Sequence, residues 1–476
     1  MSDQFYYKPI TNPVNQFSII VVFQFTTGVV ISISTGLRKY LNNTSWLLVQ
    51  NTFNILSSLF IGALVARYLG PSDYGLLNYA ISYAFIFNSF ATLGLDQIVI
   101  RELVKSDCKK NDILGTAFGL KFIGAMVVLL LLAFSSFFVV NDIYTRVLIL
   151  IVGLSTVLQS FNVIDFYFQS IVKSKFVVFS NIVKLGVSGS LKITGIVFQF
   201  DLPFFIVILV IDSIVLVSGF VFFYTVQKQS ILSWRFRPSY AKFLLKNSWT
   251  VMLAAIFISI YLRIDQILIV EFLDSAQLGI YAAAVKLGES WYFVPTAICA
   301  SVYPAIVGIK DINYEKYQKR VQHLFDLMVW MSVGVGTATL ILGPLAIKLL
   351  FGESYLNAAP VLSVHIWAGL FISLGIARGK WIFAENLQRI YPIFTAGGMI
   401  TNIALNVILI PRYGIIGAAI ATLVAQSVSA LFIPLILKET RPSAYLSLKS
   451  FNIVRVIRDF MIYLRMYIIN LRRPSN

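Results

Sequence analysis

Residues 260–304 read IYLRIDQILIVEFLDSAQLGIYAAAVKLGESWYFVPTAICASVYP and decide the fold class of this chain. Two apolar segments, joined by a very short link, contain four charged residues: Arg263, Asp265, Lys286 and Glu289. A charge inside a bilayer costs about 3 kcal/mol or more, so such residues usually face a helix-bundle interior or a water-filled path. The stretch therefore predicts a membrane-embedded helical hairpin that lines a translocation route.

The composition of the whole chain also indicates a membrane protein. Of its 476 residues, 58% are hydrophobic and only 12% are charged, which excludes an ordinary soluble domain. The 38 Lys and Arg against 21 Asp and Glu give a net charge of +17. These basic residues fall between apolar runs instead of forming one patch, which favours topology signals and an anionic, membrane-bound substrate over nucleic acid.

Twelve apolar runs follow residue 44, and each is long enough to cross a bilayer. A transmembrane helix needs about 20 mostly apolar residues. The runs are continuously apolar and do not alternate with polar residues, which excludes a closed barrel. They are residues 45–69, 75–100, 112–140, 144–171, 176–200, 203–226, 247–272, 277–308, 321–350, 357–384, 390–411 and 415–437.

The distribution of Lys and Arg predicts the orientation. Links after even-numbered runs carry most of the basic residues, whereas links after odd-numbered runs carry few or none; examples of the former are Lys109, Lys173, Arg235, Arg237 and Lys310. Basic loops stay on the cytoplasmic side. Both ends of the twelve-helix core are therefore predicted to face the cytoplasm.

Two flanking regions are less regular. Residues 1–36 form an uncertain N-terminal extension, in which residues 17–34 are an extra span, an interfacial segment or the product of an early start codon. Residues 439–476 predict a basic amphipathic cytoplasmic tail on the anionic membrane surface, and a frayed tail without a role is the alternative. Its basic side carries Arg455, Arg458, Arg465 and Arg472.

A weak internal repeat divides the core. A shift of the chain by 204 residues places residues 68–76 over residues 272–280 without a gap, and each copy follows the first helix of a six-helix half. Parallel repeats of this kind are the plan of transporters whose site lies between the halves. The predicted fold is all-α, with an N-lobe at 37–230 (helices 1–6) and a C-lobe at 231–438 (helices 7–12).

The charged residues of the opening stretch are the first candidates for a site. Arg263 and Lys286 both lie about 13 Å from the link at a rise of 1.5 Å per residue. If the two helices are neighbours, Arg263 can reach Glu289 and Asp265 can offset Lys286. The alternative is a structural ion-pair cluster that holds the hairpin together, because buried charges need partners whatever their function.

Other runs contain further polar residues. Lys184 and Lys192 follow one face of the fifth helix, and Asp165 belongs to a polar stripe in the fourth. Lys121 and Asp96 are predicted to pair or to line the same cavity. Two residues of the tenth run have an alternative each: Arg378 can snorkel to the inner surface, and His365 can be a hydrogen-bonded helix residue instead of a proton relay.

No motif for catalysis or cofactor binding occurs in the sequence. It lacks a Walker A sequence, HExxH and GxSxG, and no external loop is large enough to hold a soluble catalytic site. Cys108 and Cys299 lie in different environments and indicate neither a disulfide nor a metal site. The prediction is a protein that is not an enzyme and has no cofactor, with a proton or sodium gradient as the candidate driving force.

Several further segments lie in order with the opening stretch along residues 37–440. They are VARYLGPSDYGLLNYA (65–80), GLDQIVIREL (94–103), IDFYFQSIVKSKF (164–176), FGESYLNAAPVL (351–362) and LNVILIPRYGIIGAAIATLVAQ (405–426). Together these segments resemble the Wzx-type lipid-linked oligosaccharide flippases, which belong to the polysaccharide-transporter branch of the multidrug/oligosaccharidyl-lipid/polysaccharide (MOP) exporter superfamily. Residues 1–36 depart from that pattern.

The resemblance implies a two-lobed, MATE-like transporter of the cytoplasmic (inner) membrane. It implies alternating-access transport of undecaprenyl-diphosphate-linked oligosaccharide for surface polysaccharides such as the O-antigen of lipopolysaccharide, with a polysaccharide polymerase complex as a candidate partner. A diphosphate favours cationic contacts. Candidates for substrate binding are Arg263, Lys286, Lys192, Lys184, Lys121 and Arg378; candidates for ion pairing or coupling are Asp265, Glu289, Asp165 and Asp96.

Three alternatives remain open. A cation-coupled multidrug exporter of the same superfamily would favour acidic residues in its cavity, whereas basic residues are prominent here. An integral-membrane glycan polymerase or ligase would carry a long external loop with Arg or His, which the predicted topology lacks. An uncoupled lipid scramblase is compatible with the sequence.

Overall fold

The computed structural model describes residues 35–105, 109–458 and 461, and within these ranges the regular structure is entirely helical. Ten helical ranges are long and apolar enough to cross a membrane. The predicted class, an all-α integral membrane protein, is confirmed. The predicted extra span at 17–34 lies outside the described residues.

The first helix, α1 (Thr35–Thr92), is a hairpin of two helices and not one rod. As a straight helix its 58 residues would measure about 87 Å, roughly three times the apolar core of a bilayer. The chain reverses at Gly70, whose φ of 73° lies in the left-handed region that favours glycine. The arm before Gly70 is α1a and the arm after it is α1b. Residues 12 positions before and after Gly70 line one cavity, so the arms run side by side.

The rest of the first half completes six membrane crossings. A short helix continues the crossing of α1b, and two shorter pieces joined by a 3-10 turn form the fourth crossing. The helices are α2 (Asp96–Lys105), α3 (Lys110–Val139), α4 (Ile143–Leu158), α5 (Val163–Ser170), α6 (Lys175–Val197) and α7 (Leu202–Val226).

The second half repeats this plan and also contains a glycine hairpin. Helix α14 reverses at Gly414 (φ 60°), and a Cβ on Gly417 would overlap the backbone of Leu409, so the link between its two arms is tight. The helices are α8 (Pro238–Phe272), α9 (Ser275–Glu289), α10 (Phe293–Val307), α11 (Tyr314–Phe351), α12 (Ala358–His365), α13 (Ala368–Ala384), α14 (Tyr391–Ser427), α15 (Ile433–Ile436) and α16 (Arg441–Lys449).

The two glycine reversals reconcile the ten ranges with twelve crossings. Each reversal divides one long range into two antiparallel helices, which gives six crossings in each half of the described chain. We call the end of the bundle that contains Gly70, Asp274 and Gly414 the Gly70 end. The opposite end, with the links at 171–174, 227–237, 308–313 and 385–390, is the basic end.

The apolar core is arranged differently at the two ends. One large cluster at the Gly70 end contains side chains from both halves, among them Tyr74, Tyr281 and Tyr355. Toward the basic end the core separates into one cluster around Phe168 and Tyr224, mainly from the first half, and another around Phe325 and Met328 from the second. The halves are therefore joined most closely at the Gly70 end.

The described part of the C-terminal tail packs against the bundle. Arg455, expected to face an anionic membrane surface, instead forms an ion pair with Asp326 of α11, with its Nη2 2.5 Å from the Oδ1. Arg465 and Arg472 lie outside the described residues. Burial of Ser443 and Ser447 in α16 against the second half explains why this segment is folded onto the protein.

Candidate functional site

A polar cavity lies between the hairpin of α1 and the hairpin of α8 and α9. It has a volume of about 440 Å³, and we call it the amide chamber. Amide side chains line it together with the charged residues of the opening stretch, except Asp265. Its polar lining includes Asn54, Asn78, Gln266, Arg263, Lys286 and Glu289.

A second cavity adjoins it on another side of α1a. This lysine chamber, of about 290 Å³, is lined by Lys184, Lys192, Lys286, Ser188 and Asp212. Lys286 lines both chambers, as do two residues of α1a, so the chambers form one continuous polar space. The helical face predicted for Lys184 and Lys192 therefore does point into the bundle.

A third chamber, of about 240 Å³, extends between α1b, α4 and α7. Its polar wall includes Asn88 and Gln159, whose side chains form a hydrogen bond of 3.0 Å from Nδ2 to Oε1. Asp212 lines this chamber as well as the lysine chamber. The polar space thus reaches from the second half deep into the first.

Positive charge exceeds negative charge in this space. The three chambers are lined by four cations, Arg263, Lys286, Lys184 and Lys192, and two carboxylates, Glu289 and Asp212. Among the described residues, none of the four cations has a carboxylate oxygen within 4.0 Å. An anion could therefore bind without first breaking a direct ion pair.

The Arg263 side chain is one of the cations that remain available to an anion. Its guanidinium carbon lies 5.4 Å from the centroid of the Phe85 ring, and its Nε is a buried donor without a hydrogen-bond partner in the structure. Lys184 donates only to a neutral acceptor, the Oδ1 of Asn181, at 3.2 Å. Buried donors without protein partners are costly, so such groups favour the binding of an acceptor such as an anion.

The direct pairs predicted within the opening stretch are not formed. Glu289 lines the same chamber as Arg263 but makes no ion pair with it, and Asp265, which does not line the chamber, makes none with Lys286. Asp265 accepts hydrogen bonds from the Tyr281 hydroxyl and, at 2.8 Å, from its neighbour's backbone N–H. Two residues along a helix correspond to a rotation of about 200°, so Arg263 and Asp265 occupy opposite faces.

Asp265 belongs instead to a buried polar cluster inside the second half. The Asn406 side chain donates to the Asn402 Oδ1 at 3.0 Å, and Asn402 contacts the Thr422 Oγ1 at 3.5 Å. Tyr281 connects Asp265 to Thr422. The arrangement joins α8, α9 and both arms of α14, and it is separate from the cationic chambers.

Three of the remaining candidates lie together, away from the chambers. Lys121 and Asp96 form the predicted pair, with the Nζ and Oδ1 atoms 3.2 Å apart, and the ammonium group lies 4.7 Å from the centroid of the Phe166 ring. Asp165 lies within electrostatic range of both. None of these residues lines the three chambers, so they form a second charged cluster inside the first half.

Arg378 does not line the chambers either, and its guanidinium is engaged in hydrogen bonds elsewhere in the second half. Its guanidinium donates to the Ala430 carbonyl oxygen, to the Ser443 Oγ at 3.2 Å and to the Ser447 Oγ at 2.8 Å. The residue is only 2% exposed, so it does not snorkel to the surface. Its contacts fasten α16 to the second half.

Asp212 is a residue of the chambers that the sequence analysis did not single out. It is the only charged residue of α7, the candidate span with the highest mean hydropathy, 2.8. A single carboxylate in such a segment is a signal in itself. A polar stripe along one helix does not reveal it, because its hydrogen-bond partner, Ser188, belongs to a different helix.

Above the chambers, the two halves meet backbone to backbone at the Gly70 end. A Cβ on Gly75 would overlap the Ser275 carbonyl oxygen, and a Cβ on Gly279 would overlap the Pro71 carbonyl oxygen. The two contacts are equivalent under the shift of 204 residues. Ser72 and Ser275 add a contact of 3.2 Å between their hydroxyl oxygens. The cavity is closed at this end.

Twelve crossing helices in two equivalent halves, with a charged cavity between them, define a multi-pass membrane protein with the architecture of secondary transporters. The sequence profile of the family described as "Polysaccharide biosynthesis protein" matches residues 40–310, which is more than half of the chain. The chain belongs to this family.

Two curated relatives match part of the chain. "Probable flippase AglR" of Haloferax volcanii is 29% identical over 186 residues, which is 36% of this chain and 37% of that protein. "Putative O-antigen transporter" of Shigella flexneri is 24% identical over 170 residues, 36% of this chain and 40% of that protein. The match therefore spans less than half the length of these relatives, whose names are those of transporters and not of enzymes.

Solved structures resemble the whole fold. The lipid II flippase MurJ in its inward closed conformation has a TM-score of 0.63 and 16% identity, with 92% of this chain and 94% of that chain covered. An inward-facing MATE-family multidrug resistance transporter of the MOP superfamily has a TM-score of 0.62 and 11% identity, with 85% and 98% covered. The resemblance to this superfamily is confirmed at the level of fold.

Proposed function

We propose that this protein moves an undecaprenyl-diphosphate-linked oligosaccharide across the cytoplasmic membrane by alternating access. The observation that carries the proposal is the group of four cavity-lining cations without a direct carboxylate partner. Arg and Lys form strong charge-assisted hydrogen bonds with phosphate oxygens, above all where water is scarce. The named activities of the partial relatives point the same way.

The chemistry of the chambers suits the two parts of such a headgroup. Three ammonium groups converge on the lysine chamber, which would hold the diphosphate. The amide chamber offers Asn54, Asn78 and Gln266, whose side chains both donate and accept hydrogen bonds, as sugar hydroxyls require. Lys286 lines both chambers and would contact the substrate where the diphosphate joins the first sugar.

The packing of the halves supports a rocking motion. The halves share one core at the Gly70 end and have separate cores toward the basic end. The contact at the Gly70 end must therefore break before the cavity can open at that end. If the basic end faces the cytoplasm, as the distribution of Lys and Arg predicts, this state is closed toward the outer side. Loading from the inner leaflet then precedes release at the Gly70 end.

The driving force and the partners stay predictions. The cluster of Asp265, Tyr281, Asn402 and Thr422 is the best candidate for coupling to a proton or sodium gradient, because its carboxylate is buried where the arms of α14 meet α8 and α9. Glu289 is the other candidate, since it faces the substrate chamber. A polysaccharide polymerase complex would take up the delivered oligosaccharide.

The alternatives fit the cavity less well. The fold is also that of MATE transporters, but an excess of positive charge opposes the entry of organic cations. A glycan polymerase or ligase is disfavoured because the relatives are named as a flippase and a transporter. The cavity charge is therefore the feature that separates the candidate functions.

The test is transport of a fluorescent undecaprenyl-diphosphate oligosaccharide in proteoliposomes. We expect Arg263→Ala and Lys286→Ala each to lower the transport rate by at least about tenfold, because each removes a charge-assisted bond. Lys348→Ala is the matched control, since Lys348 pairs with Glu353 outside the cavity. Undiminished transport by both cavity variants, correctly inserted, would disprove the assignment; transport that survives collapse of every ion gradient would disprove only the coupling.

A further inference from the structure

Asp212 has an unusual position relative to the lysines of the proposed diphosphate site. It projects from the middle of α7 into the lysine chamber, where it faces Lys184 and Lys192 of α6. It is the only carboxylate that lines this chamber. Yet neither lysine has its Nζ within 4.0 Å of a carboxylate oxygen in the described part of the chain.

Ser188 explains why the carboxylate does not pair with the lysines. Its hydroxyl donates to the Asp212 Oδ2 at 2.9 Å, and the side chain itself is buried. Ser188 lies four residues after Lys184 and four before Lys192, so it occupies the space between them on one helix face. The carboxylate is thereby anchored between the two ammonium groups without direct contact with either.

A counter-ion held at this distance has two effects. It offsets part of the cost of placing two ammonium groups inside the membrane. It also leaves their N–H donors free, whereas a contact ion pair would occupy them. The N–H donors of both lysines thus remain available to a second anion.

We propose that Asp212 acts as an internal counter-ion that competes with the diphosphate for Lys184 and Lys192 and so promotes release of the transported lipid. This inference rests on the proposed function. A diphosphate on the lysines comes close to the Asp212 carboxylate, and the repulsion between like charges weakens its binding. Asp212 also lines the third chamber, so its carboxylate is not confined to the lysine chamber.

A carrier needs a limit on its affinity for the transported lipid. A site that only attracts the diphosphate would hold it too tightly for release on the other side of the membrane, and turnover would fall as affinity rises. Repulsion built into the site lowers the affinity without removing any of the donors that recognise phosphate. Ser188 sets the strength of this effect, because it decides how closely Asp212 approaches the lysines.

The proposal predicts opposite effects for two neighbouring substitutions. Asp212→Asn removes the competing charge, so undecaprenyl diphosphate should bind about tenfold tighter, dissociate more slowly and be transported more slowly. Ser188→Ala releases Asp212 to pair directly with the lysines, so the same lipid should bind a few-fold more weakly. A residue with a merely structural role would not raise affinity when it is replaced.

The experiment uses the full chain in lipid nanodiscs, with undecaprenyl diphosphate as the probe and the dissociation constant and dissociation rate as readouts. Asp311→Asn, in an exposed link at the basic end, controls for the change in net charge. The double lysine variant is Lys184→Met, Lys192→Met. Addition of Asp212→Asn to this variant should make binding no tighter, because Asp212 acts through the lysines.

The outcomes separate the two proposals. If the wild type does not bind undecaprenyl diphosphate, or the double lysine variant binds it equally well, the diphosphate site of the proposed function is wrong. If binding depends on the lysines but Asp212→Asn binds equally or more weakly, the counter-ion role is overturned and the proposed function stands. Tighter binding with slower release supports both.

Discussion

The two hairpins that face each other across the amide chamber have the same backbone arrangement but different chemistry. The shift of 204 residues relates the arms of α1 to α8 and α9, and the contacts obey it: Ser82 bonds to Gln266 at 2.6 Å, and at the equivalent position Lys286 packs against Gly62. The side chains do not follow this symmetry. Leu59, Ser82 and Phe85 of the first hairpin correspond to Arg263, Lys286 and Glu289 of the second.

This difference shows which properties of the repeat are structural and which are functional. The close approach of the backbones needs small residues at equivalent positions on both sides, so both hairpins have kept them. The charges need only be present once, and they are placed on the second hairpin. The first half supplies its cations from α6 instead, so an anion in the cavity would be held between the two halves.

The largest effect is expected where the symmetry is complete, at the glycine contacts of the Gly70 end. Gly75→Ala or Gly279→Ala places a methyl group on a backbone oxygen of the opposite half, and neither backbone can yield without separating α1b from α9. Overpacking of this kind costs about 1–3 kcal/mol, enough to shift an equilibrium by about fivefold to 150-fold. Each variant should therefore open the Gly70 end and stop transport.

A disulfide between Ser72→Cys and Ser275→Cys measures this closure, because the two hydroxyl oxygens are 3.2 Å apart. The background should have Cys108 and Cys299 replaced by alanine. Gly334→Ala is the control, since nothing lies within 4 Å of a Cβ at that position of α11. Cross-linking that stays at the control level in both glycine variants would show that the Gly70 end is not closed by this contact.

The next test moves the ammonium group of Lys286 to the equivalent position of the first hairpin, residue 82. Lys286→Ser alone should lower the transport rate by at least about tenfold, because it removes the same charge-assisted bond as Lys286→Ala. The double variant Ser82→Lys, Lys286→Ser places an ammonium group at the equivalent position of the first hairpin, and it should restore transport to about one third of the wild-type rate.

Ser82→Ala measures what the lost hydrogen bond to Gln266 contributes by itself. If the double variant folds and inserts but remains as inactive as Lys286→Ser, the position of the ammonium group matters and not only its charge. The two sides of the chamber would then differ in function as well as in sequence.

These contacts also show how far the sequence could predict the molecule. The apolar runs specify the twelve crossings, because each run depends on residues that are close in the chain, and the shift of 204 residues relates the two halves. The same patterns identify Arg263, Lys286, Lys184 and Lys192 as residues with a polar environment. Depth along a helix follows from counting residues.

Rotation about the helix axis and the partners of single residues do not follow from counting. Asp265 was expected beside Lys286, but it lies on the opposite face from Arg263 and bonds to Tyr281. Arg378 was expected in the cavity, but its side-chain partners, Ser443 and Ser447, belong to α16 and lie more than 60 residues away in sequence. Both errors come from contacts that only tertiary packing determines.

A smaller effect is expected at Gly62, the position against which Lys286 packs. A Cβ there would lie 3.1 Å from the Lys286 Nζ, and a flexible side chain can yield by a few tenths of an ångström. Gly62→Ala should therefore displace the ammonium group slightly and lower transport by about twofold to threefold. Gly186→Ala, which meets nothing within 4 Å, should leave transport unchanged. A loss as large as that of Lys286→Ala would mean that Gly62 has a role of its own.

The smallest effect on transport is expected at the links of the two hairpins at the Gly70 end. Equivalent positions there stabilise the link in different ways. Gly70 turns the chain through a left-handed φ of 73°, whereas Asp274 caps α9 by accepting the Gln277 N–H at 2.7 Å. Exchange of the two residue types should therefore be asymmetric. Asp274→Gly should lower the free energy of unfolding by only a few tenths of a kcal/mol, because glycine is a tolerated N-cap.

Gly70→Asp, in contrast, forces a side chain into a conformation that costs about 1–3 kcal/mol outside glycine. Thermal unfolding in detergent measures both changes, and the variant at residue 70 should have the lower Tm. Transport should be affected little by either, since neither residue lines a chamber. Equal loss of stability in the two variants would mean that Asp274 does more than cap its helix, and that the two links are less different than their backbone angles indicate.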